Sequence, residues 1–168
     1  MEATSVTNLE FFRHQCSSEF PRFMSVLEST PADRLDYRPH PRSRSAHELV
    51  AHLIGHELDL VELLETGVIN HRMQVPFASL QEALTTYRTA HETVQTRLGG
   101  FDPSTWESES RFIVGGTPVL TAPRRDLAWM LLFDAIHHRG QLSTYLRPMG
   151  GTVPSIYGPS ADTMVSST

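Results

Sequence analysis

The chain is poor in cysteine and in basic residues, and each shortage excludes a class of protein. Cys16 is the single cysteine in a chain of 168 residues, so no internal disulfide can form. Lysine and arginine together number 14, against 19 aspartates and glutamates, which gives a net charge of -5. This balance argues against non-specific nucleic-acid binding, because such binding needs a basic surface.

Long apolar segments are also missing. No window of the sequence approaches the roughly 18 apolar residues that a membrane span requires. The first fifteen residues, MEATSVTNLEFFRHQ, lack the apolar run of a secretory signal. We therefore expect a cytoplasmic protein that does not bind membranes. Its length predicts one domain over residues 1–168, with a tail rich in proline, glycine and serine from about residue 150.

Apolar residues at helical spacing predict four helices of about twenty residues each. The predicted helices span residues 5–28, 45–66, 80–98 and 124–147. Capping sequences begin the second and third helices at Ser45 and Ser79, and glycines follow both. Four amphipathic helices predict an all-α four-helix bundle. Residues 111–120 have a different period and predict a short extended lobe or hairpin between the third and fourth helices.

The apolar stripe of the fourth helix contains an acid and an imidazole, Asp134 and His138, which are four residues apart. A buried carboxylate costs on the order of several kcal/mol unless it is paired, and a divalent metal ion suits both side chains. His52, on the apolar face of the second helix, supplies a further donor, because bundles build metal sites from facing helices. His52, Asp134 and His138 are thus the predicted metal ligands, with one coordination position left open.

Several alternatives stay open at this point. His56, one turn after His52, is a fourth ligand, a proton shuttle or an exposed residue. Two histidines and one carboxylate also match the facial triad of non-haem iron oxygenases. Without a metal, each polar group would be satisfied by a neighbouring side chain. Gly140 is expected to let another backbone approach the fourth helix closely.

Four segments resemble the DinB-like (DinB/YfiT) four-helix-bundle superfamily, and the resemblance covers nearly the whole chain. The segments are Ala51-His52-Leu53, Asp134-Ala-Ile-His137-His138-Arg139-Gly140-Gln141-Leu142, Arg38-Pro39-His40-Pro41 and Val153-Pro-Ser-Ile-Tyr157-Gly-Pro-Ser. The resemblance implies an up-down-down-up helix order, a homodimer, and a nickel or zinc ion held by three histidines. Asp134 stands where that triad has a histidine, and its carboxylate is a competent ligand for zinc, nickel, iron or manganese.

The same resemblance implies an enzyme that uses a divalent metal ion on a small molecule. The implied reactions are thiol-dependent S-transfer, with a low-molecular-weight thiol such as bacillithiol or mycothiol, and hydrolysis. In this hypothesis the metal lowers the pKa of a bound thiol or water. His56, or Tyr157 from the tail, would move a proton or shape the pocket. The competing hypothesis is a non-enzymatic, stress-associated bundle or binding module with a structural or vestigial metal site.

Overall fold

The computed structural model describes residues 6–164. Ser5, where the sequence predicts the first helix to begin, and the last four residues of the predicted tail lie outside the described residues. The four long helices are α1 (Asn8–Glu28), α2 (Ala46–Thr66), α3 (Leu80–Gly99) and α5 (Arg124–Tyr145), and a short helix, α4, spans Pro103–Trp106. Among the described residues, no helix combines the length and apolar character that a membrane crossing needs.

Capping residues fix where the long helices begin and end. Thr7 and Glu10 form a reciprocal capping box at the start of α1, and Ser45 and Glu48 form another at the start of α2. Each box satisfies two backbone N–H groups that have no partner inside the helix. Gly67 ends α2 in the left-handed conformation, with φ 75°, which costs glycine little because it has no Cβ.

Helix α2 is the central element of the bundle. It packs against both α3 and α5, and α1 packs against the same two helices, so α1 and α2 lie diagonally across the core. Thirteen of the 21 residues of α2 are buried, including three polar ones, His52, His56 and Asp59. A helix buried on so much of its circumference obliges its neighbours to supply partners for these polar groups.

The prediction of a purely α-helical four-helix bundle is wrong, because the described residues also include α4 and a three-stranded mixed sheet. Strands β2 (Glu109–Val114) and β3 (Thr117–Pro123) form an antiparallel hairpin where the sequence predicts an extended lobe. Strand β1 (Val68–Asn70) pairs in parallel with β2. Three residues are too few to show a strand period, and the partner strand follows only after α3 and α4, so no local pattern indicates β1.

Strand β1 holds the segment that follows it, residues 71–75, against α2. The His71 backbone N–H donates to the Ile113 carbonyl at 2.8 Å, which extends the pairing with β2. Further along, the backbone of residue 72 comes so close to Gly55 that a Cβ added there would lie 2.6 Å from the Arg72 carbonyl oxygen. We call residues 71–75 the covering segment, because they lie against the side of α2 that carries the buried polar residues His52 and Asp59.

This close approach predicts opposite effects for two helical glycines. Gly55→Ala should lower the free energy of unfolding by about 1–3 kcal/mol, because the covering segment has to move away from the new methyl group. Gly140, where the sequence predicts a close backbone approach, has nothing within 4 Å of an added Cβ. Gly140→Ala should therefore raise the free energy of unfolding by up to about 1 kcal/mol through helix propensity. Urea unfolding followed by circular dichroism measures both, and equal effects would contradict the packing at Gly55.

Candidate metal centre

Donor atoms from α2 and α5 converge on one carboxylate oxygen. Oδ2 of Asp134 lies 2.8 Å from Nε2 of His56 and 3.4 Å from Nε2 of His138. Nε2 of His52 lies 3.8 Å from the same oxygen. One donor atom from each of the four residues lies within 4.8 Å of all the others. Donors at about 2.1 Å from a tetrahedral ion lie about 3.4 Å apart, so these separations fit a single metal ion.

The four side chains differ in their exposure to solvent. The side chains of His52 and His56 are only 4% exposed, and that of His138 is 12% exposed. The Asp134 side chain is 46% exposed. The imidazoles therefore form the buried floor of the cluster, and the carboxylate stands on its solvent side.

Hydrogen bonds behind the rings orient two of the imidazoles. Nδ1 of His52 lies 3.2 Å from the Met73 carbonyl oxygen, which can only accept, so Nδ1 carries the proton. Nδ1 of His138 lies 2.9 Å from Oε1 of Gln141, and the amide nitrogen of Gln141 lies 3.0 Å from Nε2 of His137. With Nδ1 protonated, each Nε2 presents a lone pair to the cluster, as metal-binding histidines do.

His56 differs, because it has no hydrogen bond. Both of its ring nitrogens are buried without a hydrogen-bond partner among the described residues, even though Nε2 lies 2.8 Å from the Asp134 oxygen. The two atoms are in contact without forming a hydrogen bond. A buried polar atom without a partner costs about 1–3 kcal/mol. A metal ion at the centre of the cluster would supply a partner for one of the two His56 nitrogens.

Electrostatics keep the cluster in the protonation state that a metal needs. The neighbouring imidazole of His56 holds the pKa of the Asp134 carboxyl well below its usual range. Burial lowers the pKa of His52 to about 3 and also lowers the pKa of His138. At neutral pH the carboxylate is therefore ionised and these two imidazoles are neutral, which are the forms that bind divalent ions.

A cavity of about 270 Å³ opens beside the cluster. It is lined by His56, His71, Phe112, Met130, Leu131 and Asp134. Its walls are apolar except for two histidines and the carboxylate, a common composition for small-molecule sites. A larger surface cavity, of about 670 Å³, is lined by other residues, from Leu64 to Thr105, and includes none of the four cluster side chains.

The structure brings together the three predicted ligands, His52, Asp134 and His138, and adds His56 to them. The sequence left open whether His56 is exposed, and the structure buries it. Tyr157 contacts a different group: its hydroxyl accepts from Nη2 of Arg139 at 2.7 Å and donates to Oε2 of Glu19 at 2.9 Å. The predicted role of Tyr157 in proton transfer or pocket shape stays a prediction.

Sequence reasoning missed two polar residues next to the cluster. Asp59 is completely buried, and its carboxylate accepts from Nδ1 of His71 at 2.7 Å and from Nη1 of Arg72 at 2.8 Å. Asp59 follows His56 by three residues on the buried face of α2. This helical spacing could have indicated from the sequence that Asp59 lies near the cluster. His71 lies in the covering segment, where the local sequence carries no periodic signal.

Comparisons with known proteins agree on one family. The model of the DinB family matches residues 4–165. A DinB-like protein from Bacillus subtilis has a similar structure, with a TM-score of 0.67 and 19% identity over 92% of this chain and 99% of that chain. A DinB-like protein from Bacillus cereus ATCC 10987 gives a TM-score of 0.69 and 20% identity over 87% and 95% of the two chains. These two likenesses show a shared fold.

A mycothiol-dependent maleylpyruvate isomerase also matches, with a TM-score of 0.49 and 14% identity over 86% of this chain and 62% of that chain. A likeness this distant carries no argument about the chemistry of this chain. No curated protein matches the chain significantly.

The lowered histidine pKa values predict how the metal-free protein responds to acid. A histidine whose pKa is lower in the folded state binds fewer protons there than in the unfolded state, so stability falls as pH drops below about 6.5. From about pH 7 to pH 5, His52 alone should remove roughly 2 kcal/mol from the free energy of unfolding. Urea unfolding of chelator-treated protein measures this loss, and His52→Gln should reduce it. A pH-independent free energy of unfolding would contradict the burial of uncharged imidazoles.

Proposed function

The chain belongs to the DinB family, and we propose that it is a divalent-metal-dependent enzyme that acts on a small molecule by thiol-dependent S-transfer or hydrolysis. The observation that carries this proposal is the convergence of three buried imidazole nitrogens on one carboxylate, with both nitrogens of His56 unpartnered. Buried polar groups without partners destabilise a fold, so a cluster of this kind is best explained by a bound ion.

In this proposal His52, Asp134 and His138 hold the ion, and His56 is either a fourth ligand or a group that moves a proton. Nickel and zinc suit the imidazole and carboxylate donors, and iron and manganese accept the same set. With His56 as a fourth ligand, the set has three imidazoles and differs from a facial triad of two histidines and one carboxylate. A bound divalent ion supplies Lewis acidity, which lowers the pKa of a coordinated thiol or water.

The protein's own residues prepare the site for a small molecule. The Met73 carbonyl and the Gln141 side chain keep two imidazoles turned toward the cluster, which reduces the reorganisation needed on binding. Apolar side chains of Phe112, Met130 and Leu131 line the adjoining cavity and limit the water beside the cluster. The half-exposed carboxylate of Asp134 marks the side from which a substrate and a thiol enter.

One contact favours the competing function, a non-enzymatic bundle with a vestigial site. Nε2 of His56 is 2.8 Å from Oδ2 of Asp134, a distance at which a protonated imidazole and a carboxylate pair without any metal. In that case the cluster contains an ion pair between a buried imidazole and a half-exposed carboxylate, and the protein works as a binding module. Metal content separates the two functions directly.

Elemental analysis of the untagged protein is the test. We expect about one nickel, zinc or other divalent transition-metal ion per chain, and its loss in Asp134→Ala and in His138→Ala, because each variant removes a ligand. His14→Gln, which changes an exposed histidine on α1, is the matched control and should keep the metal. Metal-free wild-type protein that also fails to bind added nickel or zinc would favour the non-enzymatic bundle, and unchanged content in the two alanine variants would eliminate the assigned ligands.

A further inference from the structure

A second polar group lies beside the metal cluster and belongs to none of the roles assigned above. His71, from the covering segment, donates from Nδ1 to the buried carboxylate of Asp59 at 2.7 Å. The donor atoms of His56, Asp59 and His71 lie within 4.8 Å of one another, so this pair adjoins the four-residue cluster through His56. An imidazole held by a buried carboxylate is the arrangement that orients a proton-transferring histidine.

Nε2, the second ring nitrogen of His71, is the atom that could accept a proton. Because Nδ1 is bound to Asp59, Nε2 lies on the opposite side of the ring, and the hydrogen bond of the His71 side chain among the described residues is made by Nδ1. His71 lines the 270 Å³ cavity together with Asp134 and Phe112. The ring packs on Phe112 at 5.1 Å between centroids and lies 5.7 Å from the ring of His56. Packing therefore holds the His71 ring beside the cluster and on the wall of the cavity.

The carboxylate that binds the His71 ring is itself held by a charged neighbour. Asp59 is completely buried, and it accepts from the Arg72 guanidinium at 2.8 Å and from the Arg72 backbone N–H at 3.3 Å. Arg72 in turn contacts Glu62 at 2.9 Å. A proton gained at Nε2 would leave the other ring nitrogen 2.7 Å from the Asp59 carboxylate, so the charge on the ring would not be isolated in the interior.

We propose that His71 is a catalytic residue whose Nε2 accepts the proton of a thiol or water bound in the cavity, and that Asp59 is the positioning residue that orients it. The S–H or O–H bond breaks, an N–H bond forms at Nε2, and the electron pair stays on the sulfur or oxygen as the nucleophile. Asp59 keeps its contacts with His71 and Arg72 throughout. This inference rests on the proposed function, because the metal cluster is what binds the molecule that gives up the proton.

A second metal ion held by His56, Asp59 and His71 is the competing interpretation. The contacts of Asp59 argue against it, because its carboxylate already accepts from His71 and from both the side chain and the backbone of Arg72. An added cation would have to displace the Arg72 guanidinium from a site that it already neutralises. Proton transfer uses the existing contacts without breaking any of them.

The test counts the protons released when a thiol binds. Zinc-loaded protein is titrated with β-mercaptoethanol by calorimetry in two buffers of different ionisation enthalpy, which gives the protons released per thiol bound. In the wild type the proton moves to His71, so release should be close to zero. His71→Asn keeps an amide donor for Asp59 but has no Nε2, so release should rise to about one proton per thiol. His14→Gln is the matched control and should behave as the wild type.

A second readout needs neither metal nor thiol. Nitrogen-15 NMR of the metal-free protein should find His71 with its proton on Nδ1, and Asp59→Asn should shift this tautomer preference, with folding of both proteins checked by circular dichroism. A proton found on Nε2 in the wild type would overturn the inference.

The outcomes for the two proposals are distinct. Wild-type protein that binds no zinc overturns the proposed function, and this inference falls with it. Protein that binds zinc and thiol, with the same proton release in His71→Asn as in the wild type, overturns this inference alone and leaves the metal-dependent function intact.

Discussion

The burial of polar side chains on α2 is the constraint on which the surrounding structure depends. A central helix with two imidazoles and a carboxylate on its buried face is stable only if other elements supply partners for them. The covering segment supplies the Met73 carbonyl for His52 and the imidazole and guanidinium for Asp59. Helix α5 supplies the carboxylate that faces His56. The sheet, the close approach at Gly55 and the candidate metal centre thus all contribute partners for the buried polar side chains of α2.

Local signals in the sequence account for the long helices and for the main cluster. Helical spacing of apolar residues, with the capping sequences at Ser45 and Ser79, predicts the bounds of the long helices to within three residues. The same spacing places His52, Asp134 and His138 on helix faces that meet at the cluster, although the Asp134 side chain is 46% exposed and not buried as the apolar stripe predicts. The helix bounds could be predicted because they require no knowledge of which distant segments meet, whereas the role of the three residues as metal ligands stays a prediction.

Predictions that depend on distant contacts failed or could not be made. β1 is defined by its pairing with β2, and the Asp59–His71 contact joins a helix to a segment held in place by that pairing. Gly140 and Gly55 are both glycines inside helices, and only the arrangement of the covering segment decides which of them meets another backbone. The missed strand and the missed histidine therefore have one cause: both depend on non-local pairing.

The uneven exposure of the four cluster side chains has a kinetic consequence. Packing holds three imidazoles in the interior, and hydrogen bonds also hold two of them, whereas the Asp134 side chain is half-exposed to solvent. A bound ion would therefore lose the carboxylate ligand first, and a competing chelator would coordinate the ion at the position that the carboxylate had left. The residence time of the ion would then be governed by how often this single side chain changes rotamer, while the floor of imidazoles stays in place for the next ion.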